Sequence, residues 1–517
     1  MRVVVSAYGA RGSVEPMVGL AVRLRERGAE VRVCAPPDEE FTELLAEAGV
    51  PSVPVGAPVR PLVTTVKPGS AEGLAQRAAD LMAAQFGAVA DAADGCDVLV
   101  ATGPLPVTTG ARSVAERLGI RYVYVTHTPV VLPAPHQPPP GRRGRPLPPE
   151  VRDNRELWDL DARLADDMFG GTLEALRASV GLPPVRNVRD YAFTDRPWLA
   201  ADPVLSPWPP SGPAVVPTGA WLRPDDRPLP PAVVAFLDAG APPVYVGFGS
   251  TPLGTRAPDL ARAAVEAIRE RGHRAIVSRG WAGLAAPDDG DDCLTVDEVD
   301  HRALFPRLAA VVHHGSGGTT TTAARAGVPQ VIVAQGGDQP YWADRVTALG
   351  IGVAYDGPTP APGSLSAALA TALRPATRAR AETVRGTVRS DGASVAARLL
   401  YETAGRRRRG LGRRDRDPMP SSAAGDSASS GTSSSARRHR GVLGVGGGAG
   451  EFVRDRDAHT PGPVADPVQG RATGGRPGQR SAVGSAPQSA SRAAKAASAA
   501  SPGNSRTTEP SPGDAIT

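Results

Sequence analysis

The chain has 517 residues, with 58 Lys and Arg against 53 Asp and Glu, a formal charge of +5, and three cysteines. That length allows two or three cores, and no apolar run approaches the roughly 18 residues of a membrane span. Cys34, Cys96 and Cys293 are too scattered for a metal site or disulfide framework, so a reducing cytoplasm is the expected setting. The positive charge is local: residues 406–517 carry 18 basic and 9 acidic groups, leaving 40 basic and 44 acidic before them. A mildly acidic body argues against a nucleic-acid partner.

In chain order, "MRVVVSAY" predicts an opening strand, its apolar run being too short for a signal peptide. "EPMVGLAVRLRERG" predicts a helix with Met17, Leu20, Ala21 and Leu24 on one face and Gly28 as its stop. "AEVRVCAPP" reads as a second strand, "EEFTELLAEAG" as a second helix, and "CDVLVATG" and "RYVYVTHTP" as later strands. The Pro-rich run "PVVLPAPHQPPPGRRGRPLPPE" predicts a surface loop over the ligand edge of this sheet. Prolines cluster again from about Ser206 to Pro243, which marks a linker.

The alternation then restarts. "PVYVGFGST", "HRAIVSRGW", "RLAAVVHH" and "VPQVIVAQGG" are strands with their loops, "APDLARAAVEAIRERG" is a helix, and a last helix is expected near Val384–Thr403. The reading is α/β: two Rossmann-like domains with a cleft between them, over 1–217 and 243–404, joined by a linker at 218–242. Residues 405–517 are rich in Gly, Ser, Ala, Pro and Arg, without apolar periodicity, and predict a disordered tail. Such a tail is a basic linker, a polyanion-binding segment or the product of a shifted reading frame.

Chemistry concentrates in "AAVVHHGSGGTTTTAARAGVP", residues 309–329. A buried strand ends on two histidines, and His314-Gly315-Ser316-Gly317-Gly318-Thr319 turns into a helix. Glycines let the backbone approach an anion, and the helix N-terminus supplies N–H groups and positive potential. The plainer reading is a capped helix. In the next loop, Asp338 and Gln339 lie beyond the end of a strand, where an acid and an amide suit paired sugar hydroxyls, or where Asp338 caps the following helix. "GFGST" offers Ser250 and Thr251 after another strand.

Taken together, "HHGSGGT", "AGVPQVIV", "GGDQPYWADRV" and "LGIGVA" resemble the donor-site signature of GT-B glycosyltransferases that modify antibiotics. The opening 37 residues resemble the start of their acceptor domain. "PTGAWLRPDDRPLPP" and "VSRGWAGL" resemble the group acting on vancomycin-type glycopeptides, and the likeness covers about residues 1–404. It implies an inverting transfer of a sugar from a TDP- or UDP-sugar to a glycopeptide or other aromatic aglycone, by a monomer that needs no metal or further cofactor. It also implies that Ser250, His314, Gly315, Ser316, Gly318 and Thr319 hold the diphosphate, with Trp281 near the base. Asp338 and Gln339 would bind the sugar, and Arg11 and Gly12 would line the cleft.

One position departs from the resemblance. The family loop carries an Asp, the expected general base, where this chain reads Gly9-Ala10-Arg11-Gly12-Ser13. A positioned base contributes about 10²–10⁴-fold, and Ser13 cannot take a proton at neutral pH. Glu15, His127 and His136 are the candidates to replace it, and an acidic phenolic acceptor would suffer least from the loss. The competing expectation is a catalytically weak homologue that binds donor or aglycone as an auxiliary protein.

Overall fold

The near-continuous valines of the opening strand suit a position buried on both faces of a parallel sheet. In a computed structural model, which describes residues 1–64, 71–142, 145–209, 214–225 and 227–414, that strand is central. It is β1 (Arg2–Ala7), followed by β2 (Glu30–Ala35), β3 (Ser52–Pro54), β4 (Val98–Thr102), β5 (Arg121–Thr126), β6 (Trp198–Leu199) and β7 (Val216–Pro217). The order is β3-β2-β1-β4-β5-β6-β7 and every pairing is parallel.

A second parallel sheet repeats the pattern with β8 (Val244–Gly247), β9 (Ala275–Ser278), β10 (Cys293–Val296), β11 (Ala310–His313), β12 (Gln330–Ile332) and β13 (Gly352–Ala354). Its order is β10-β9-β8-β11-β12-β13. Each sheet therefore reverses direction between its first and fourth strands, where open α/β sheets bind ligands beyond the strand ends. In the first lobe the reversal lies between β1 and β4, and in the second between β8 and β11.

Three long helices of the first lobe escape the sequence reading, besides two short ones at Val59–Thr64 and Val188–Phe193: Ala71–Ala93, Leu105–Leu118 and Asn154–Ser179. The last is signalled by Asp153, whose carboxylate caps it by accepting from the Arg155 N–H at 2.7 Å. The Pro-rich run is a loop, as expected, secured where the Trp158 indole donates to the carbonyls of Ala134 and Gln137. Arg142 adds a two-pronged ion pair to Asp161 at 2.7 and 3.1 Å.

Two helix boundaries differ from expectation. The first helix spans Arg11–Glu26 rather than starting at Glu15, so Arg11, Gly12 and Ser13 are its opening turn and only Tyr8–Ala10 are loop. The helix expected near Val384–Thr403 is two helices, Pro375–Arg385 and Gly392–Arg414. The second begins where the backbone passes close to the first lobe, since a side chain at Gly392 would run into the backbone of Gly219 and Ala220. The final helix crosses back to the first lobe, where Ala393, Ala396, Ala397 and Leu400 join the core built on β1 and β2, and the Tyr401 hydroxyl donates to the Arg27 carbonyl. Its backbone continues through Arg414; the tail from 415 onward lies outside the described residues. Among the described residues, no helix is long and apolar enough to cross a membrane.

Candidate active site

Both switch points carry the chemistry-bearing residues. In the second lobe His313, the last residue of β11, pairs with Gly247, the last of β8. His313 is fully buried; its Nε2 bonds Gln330 Oε1 at 3.0 Å and its Nδ1 accepts from the Gly315 N–H at 3.1 Å. The second histidine is different. His314 is 7 % exposed, and its Nδ1 is buried without a hydrogen-bond partner, as is the hydroxyl of Ser250 in the loop after β8. Burial holds His314 down to about 4, so the ring is neutral at pH 7.

Gly315 follows in the left-handed region at φ +94°, where a Cβ would lie 2.7 Å from Ile332 Cγ2. Ser316 then caps the helix Gly317–Ala326, its Oγ accepting from the Thr319 N–H at 3.3 Å and meeting the Thr319 hydroxyl at 3.0 Å. The helix is thus capped, as the plainer reading expects. Gly318 faces open space in the first turn. A histidine, a serine hydroxyl and a helix N-terminus therefore converge at one switch point, a surface suited to an anion.

The next loop places Asp338 at the start of the helix Gln339–Ala348, yet its carboxylate makes no cap and accepts instead from the Trp342 indole at 2.8 Å. Burial pushes its carboxyl up from the ordinary range, partly offset by Trp342 and by Thr128 of the first lobe. Gln339 Oε1 accepts from the Gln335 N–H at 2.6 Å.

Two residues expected at the cleft, Arg11 and Trp281, reach across to the opposite lobe. Arg11 donates to Glu298 at 2.5 and 2.8 Å as well as to Glu15, and Arg227 joins the same carboxylate at 3.2 Å. Trp281 is 8 % exposed, its indole N–H divided between the Glu40 carboxylate oxygens at 2.8 and 3.0 Å. Both side chains bridge the lobes. Sequence reading could not have found Glu298 or Glu40, which stand hundreds of residues from their partners with no local pattern. Gly12 is exposed, and Ser13 is half-buried against Gly9 (φ +150°), where a Cβ would lie 2.7 Å from its Oγ.

Two pH effects follow. Arg11 holds Glu298 down to about 2, so the bridge contributes fully above the ordinary carboxylate range and is lost as pH falls from about 4.5 toward 2. Glu298→Gln should lower Tm at pH 7, and the deficit relative to wild type should vanish near pH 2; a deficit unchanged by acid would count against the bridge. Burial likewise holds His127, His301 and His314 at about 4 and His313 at about 3. The unfolded chain binds those protons first, so stability falls from about pH 6.5 down to about 4. Calorimetry should show Tm several degrees lower at pH 5 than at pH 7.5; a flat Tm would contradict the buried neutral rings.

Comparison with known proteins adds the lineage. Residues 3–133 match the model of the glycosyltransferase family 28 N-terminal domain, and 285–398 that of the erythromycin biosynthesis protein CIII-like C-terminal domain. The chain is 53 % identical over 407 residues to glycosyltransferase GtfE of Amycolatopsis orientalis, covering 78 % of this chain and 98 % of that protein. It is 52 % identical over 406 residues to the vancomycin aglycone glucosyltransferase of the same organism, with the same coverage. In fold it is similar to the glycosyltransferase VinC in complex with dTDP, at TM-score 0.56 and 22 % identity over 78 % of this chain and all of that one.

Proposed function

The chain belongs to the same glycosyltransferase family as the vancomycin aglycone glucosyltransferase, and from that premise we propose that it moves a sugar from a TDP- or UDP-sugar to an aromatic hydroxyl of a glycopeptide aglycone. The observation carrying the donor half is the meeting of buried, unpartnered His314 Nδ1 and Ser250 Oγ with the N-terminus of the helix Gly317–Ala326.

In the proposed step an acceptor oxygen attacks the anomeric carbon from the face opposite the diphosphate, the anomeric C–O bond breaks, and its electron pair leaves with the diphosphate. The configuration inverts. The departing charge is met by the first-turn N–H groups of Gly317 and Gly318 and by His314, whose ring is drawn toward its protonated form by that charge. On this reading no metal is required. Asp338 and Gln339 hold sugar hydroxyls from the loop after β12.

The test is turnover of the full chain with UDP- and TDP-glucose and a vancomycin-type aglycone, followed by the mass of the product, beside Ser13→Asp. Product from the wild type is expected. Product only from Ser13→Asp would favour the auxiliary-protein reading that Ser13 raises, and donor binding with no product from either would remove the proposed acceptor.

A further inference from the structure

We propose that His127 takes the proton from the acceptor hydroxyl, the role that Ser13 cannot fill. The inference rests on the transfer reading above and names the group that completes it.

Attack by a hydroxyl needs a proton acceptor at the cleft edge of the first sheet, and the structure separates the three candidates. Glu15 is engaged by the Arg11 guanidinium, its Oε1 accepting from Nε at 3.1 Å. His136 is exposed and packs edge-on against Trp208, ring centroids 5.1 Å apart. His127 immediately follows β5, at the sheet edge where ligands bind, with both ring nitrogens buried and neither partnered. Trp221 fixes the ring edge-on with centroids 5.9 Å apart, without using either nitrogen.

Leaving two polar atoms of one buried side chain unpaired is costly, of order 1–3 kcal/mol per group, and such groups are expected where a ligand completes them. The neighbour locates that ligand. Thr128, the next residue, also buries its hydroxyl without a hydrogen-bond partner and lies near enough to the Asp338 carboxylate of the second lobe to hold its pKa down in part, so His127 stands one residue from a point where the first lobe nears the proposed sugar loop. In the order β1-β4-β5, the residue after β5 lies two strand spacings, about 10 Å, from the loop after β1. The proton therefore leaves toward a different strand end from the one the resemblance implies.

The step balances. The acceptor O–H proton passes to an imidazole nitrogen of His127, the oxygen lone pair forms the bond to the anomeric carbon, and the broken C–O pair departs on the diphosphate. The imidazolium, formed on a ring that burial otherwise keeps neutral, gives up its proton as the product and diphosphate leave and water enters the cleft.

The experiment compares wild type, His127→Asn, His127→Gln and His136→Asn, with and without Ser13→Asp, as full chains. Two rates are read: glycosylation of the aglycone, and slow release of diphosphate from UDP- or TDP-glucose to water, which needs no acceptor. Expected is a fall in kcat of at least about 100-fold for both His127 variants, donor KM within threefold, and wild-type rates for His136→Asn. Ser13→Asp should recover at least tenfold in the His127 variants, a rescue that a packing role would not give. His127→Asn within threefold of wild type overturns the proposal, as does a loss that Ser13→Asp does not recover or unfolding of both His127 variants. Loss of product with water hydrolysis intact in the wild type removes the glycopeptide acceptor instead, and the hydrolysis rates still decide His127.

Discussion

His314→Ala is expected to lower kcat by about 10²–10³-fold while leaving Tm within a few degrees of wild type. The activity loss follows from removing a group aimed at developing charge in a water-poor site, where one donor contributes about that much. The stability result follows from the state of the ring. His314 Nδ1 is buried without a partner and burial holds the imidazole down to about 4, so its removal also relieves an unsatisfied polar atom. The same residue gives donor binding a pH dependence: an arriving diphosphate raises the ring's pKa, binding takes up a proton, and affinity tightens as pH falls from neutrality toward 5. Calorimetry in two buffers of different ionisation enthalpy would count that proton. No proton uptake, or a kcat within threefold of wild type, would place the diphosphate elsewhere.

The second large effect separates two glycines three positions apart. Gly315→Ala should lose stability and activity together. Its φ of +94° is strained for a side chain, and the new Cβ would lie 2.7 Å from Ile332 Cγ2 and 3.2 Å from the Gln339 carbonyl. Strain of this kind costs about 1–3 kcal/mol, and its relief must move both the loop after β11 and the start of the helix bearing Gln339. Gly318→Ala meets nothing within 4 Å. In a helix an alanine is favoured over glycine by up to about 1 kcal/mol, so Tm should hold or rise. If a diphosphate lies against the first turn, however, the added methyl group collides with it, and donor KM should rise at least tenfold. Wild-type donor KM in Gly318→Ala, or an unchanged Tm in Gly315→Ala, would contradict this arrangement.

Much of this was legible before any coordinates. Apolar runs such as "MRVVVSA" and "AAVVH", alternating with helices of 3.6 periodicity, determined two parallel α/β lobes, because strands of a parallel sheet covered by helices are buried on both faces. The Gly- and Ser-rich stretch after β11 announced a helix start suited to an anion, since capping and positive φ are local properties. Ser13 stood out as one departure from the Asp that the resemblance implies. What the sequence could not decide were pairings made by distant segments. Nothing local announces that Arg11 meets Glu298, that the Trp281 indole N–H donates to Glu40, or that the last helix packs Leu400 into the first lobe. Likewise the sequence pointed to His314 as the ligand of the "HH" pair without showing what occupies its neighbour; the structure couples His313 to Gln330 and the Gly315 N–H and leaves His314 Nδ1 unpaired. Local sequence fixes backbone conformation and which faces are apolar, whereas the partner of a polar side chain is set by whichever segment the tertiary fold brings beside it.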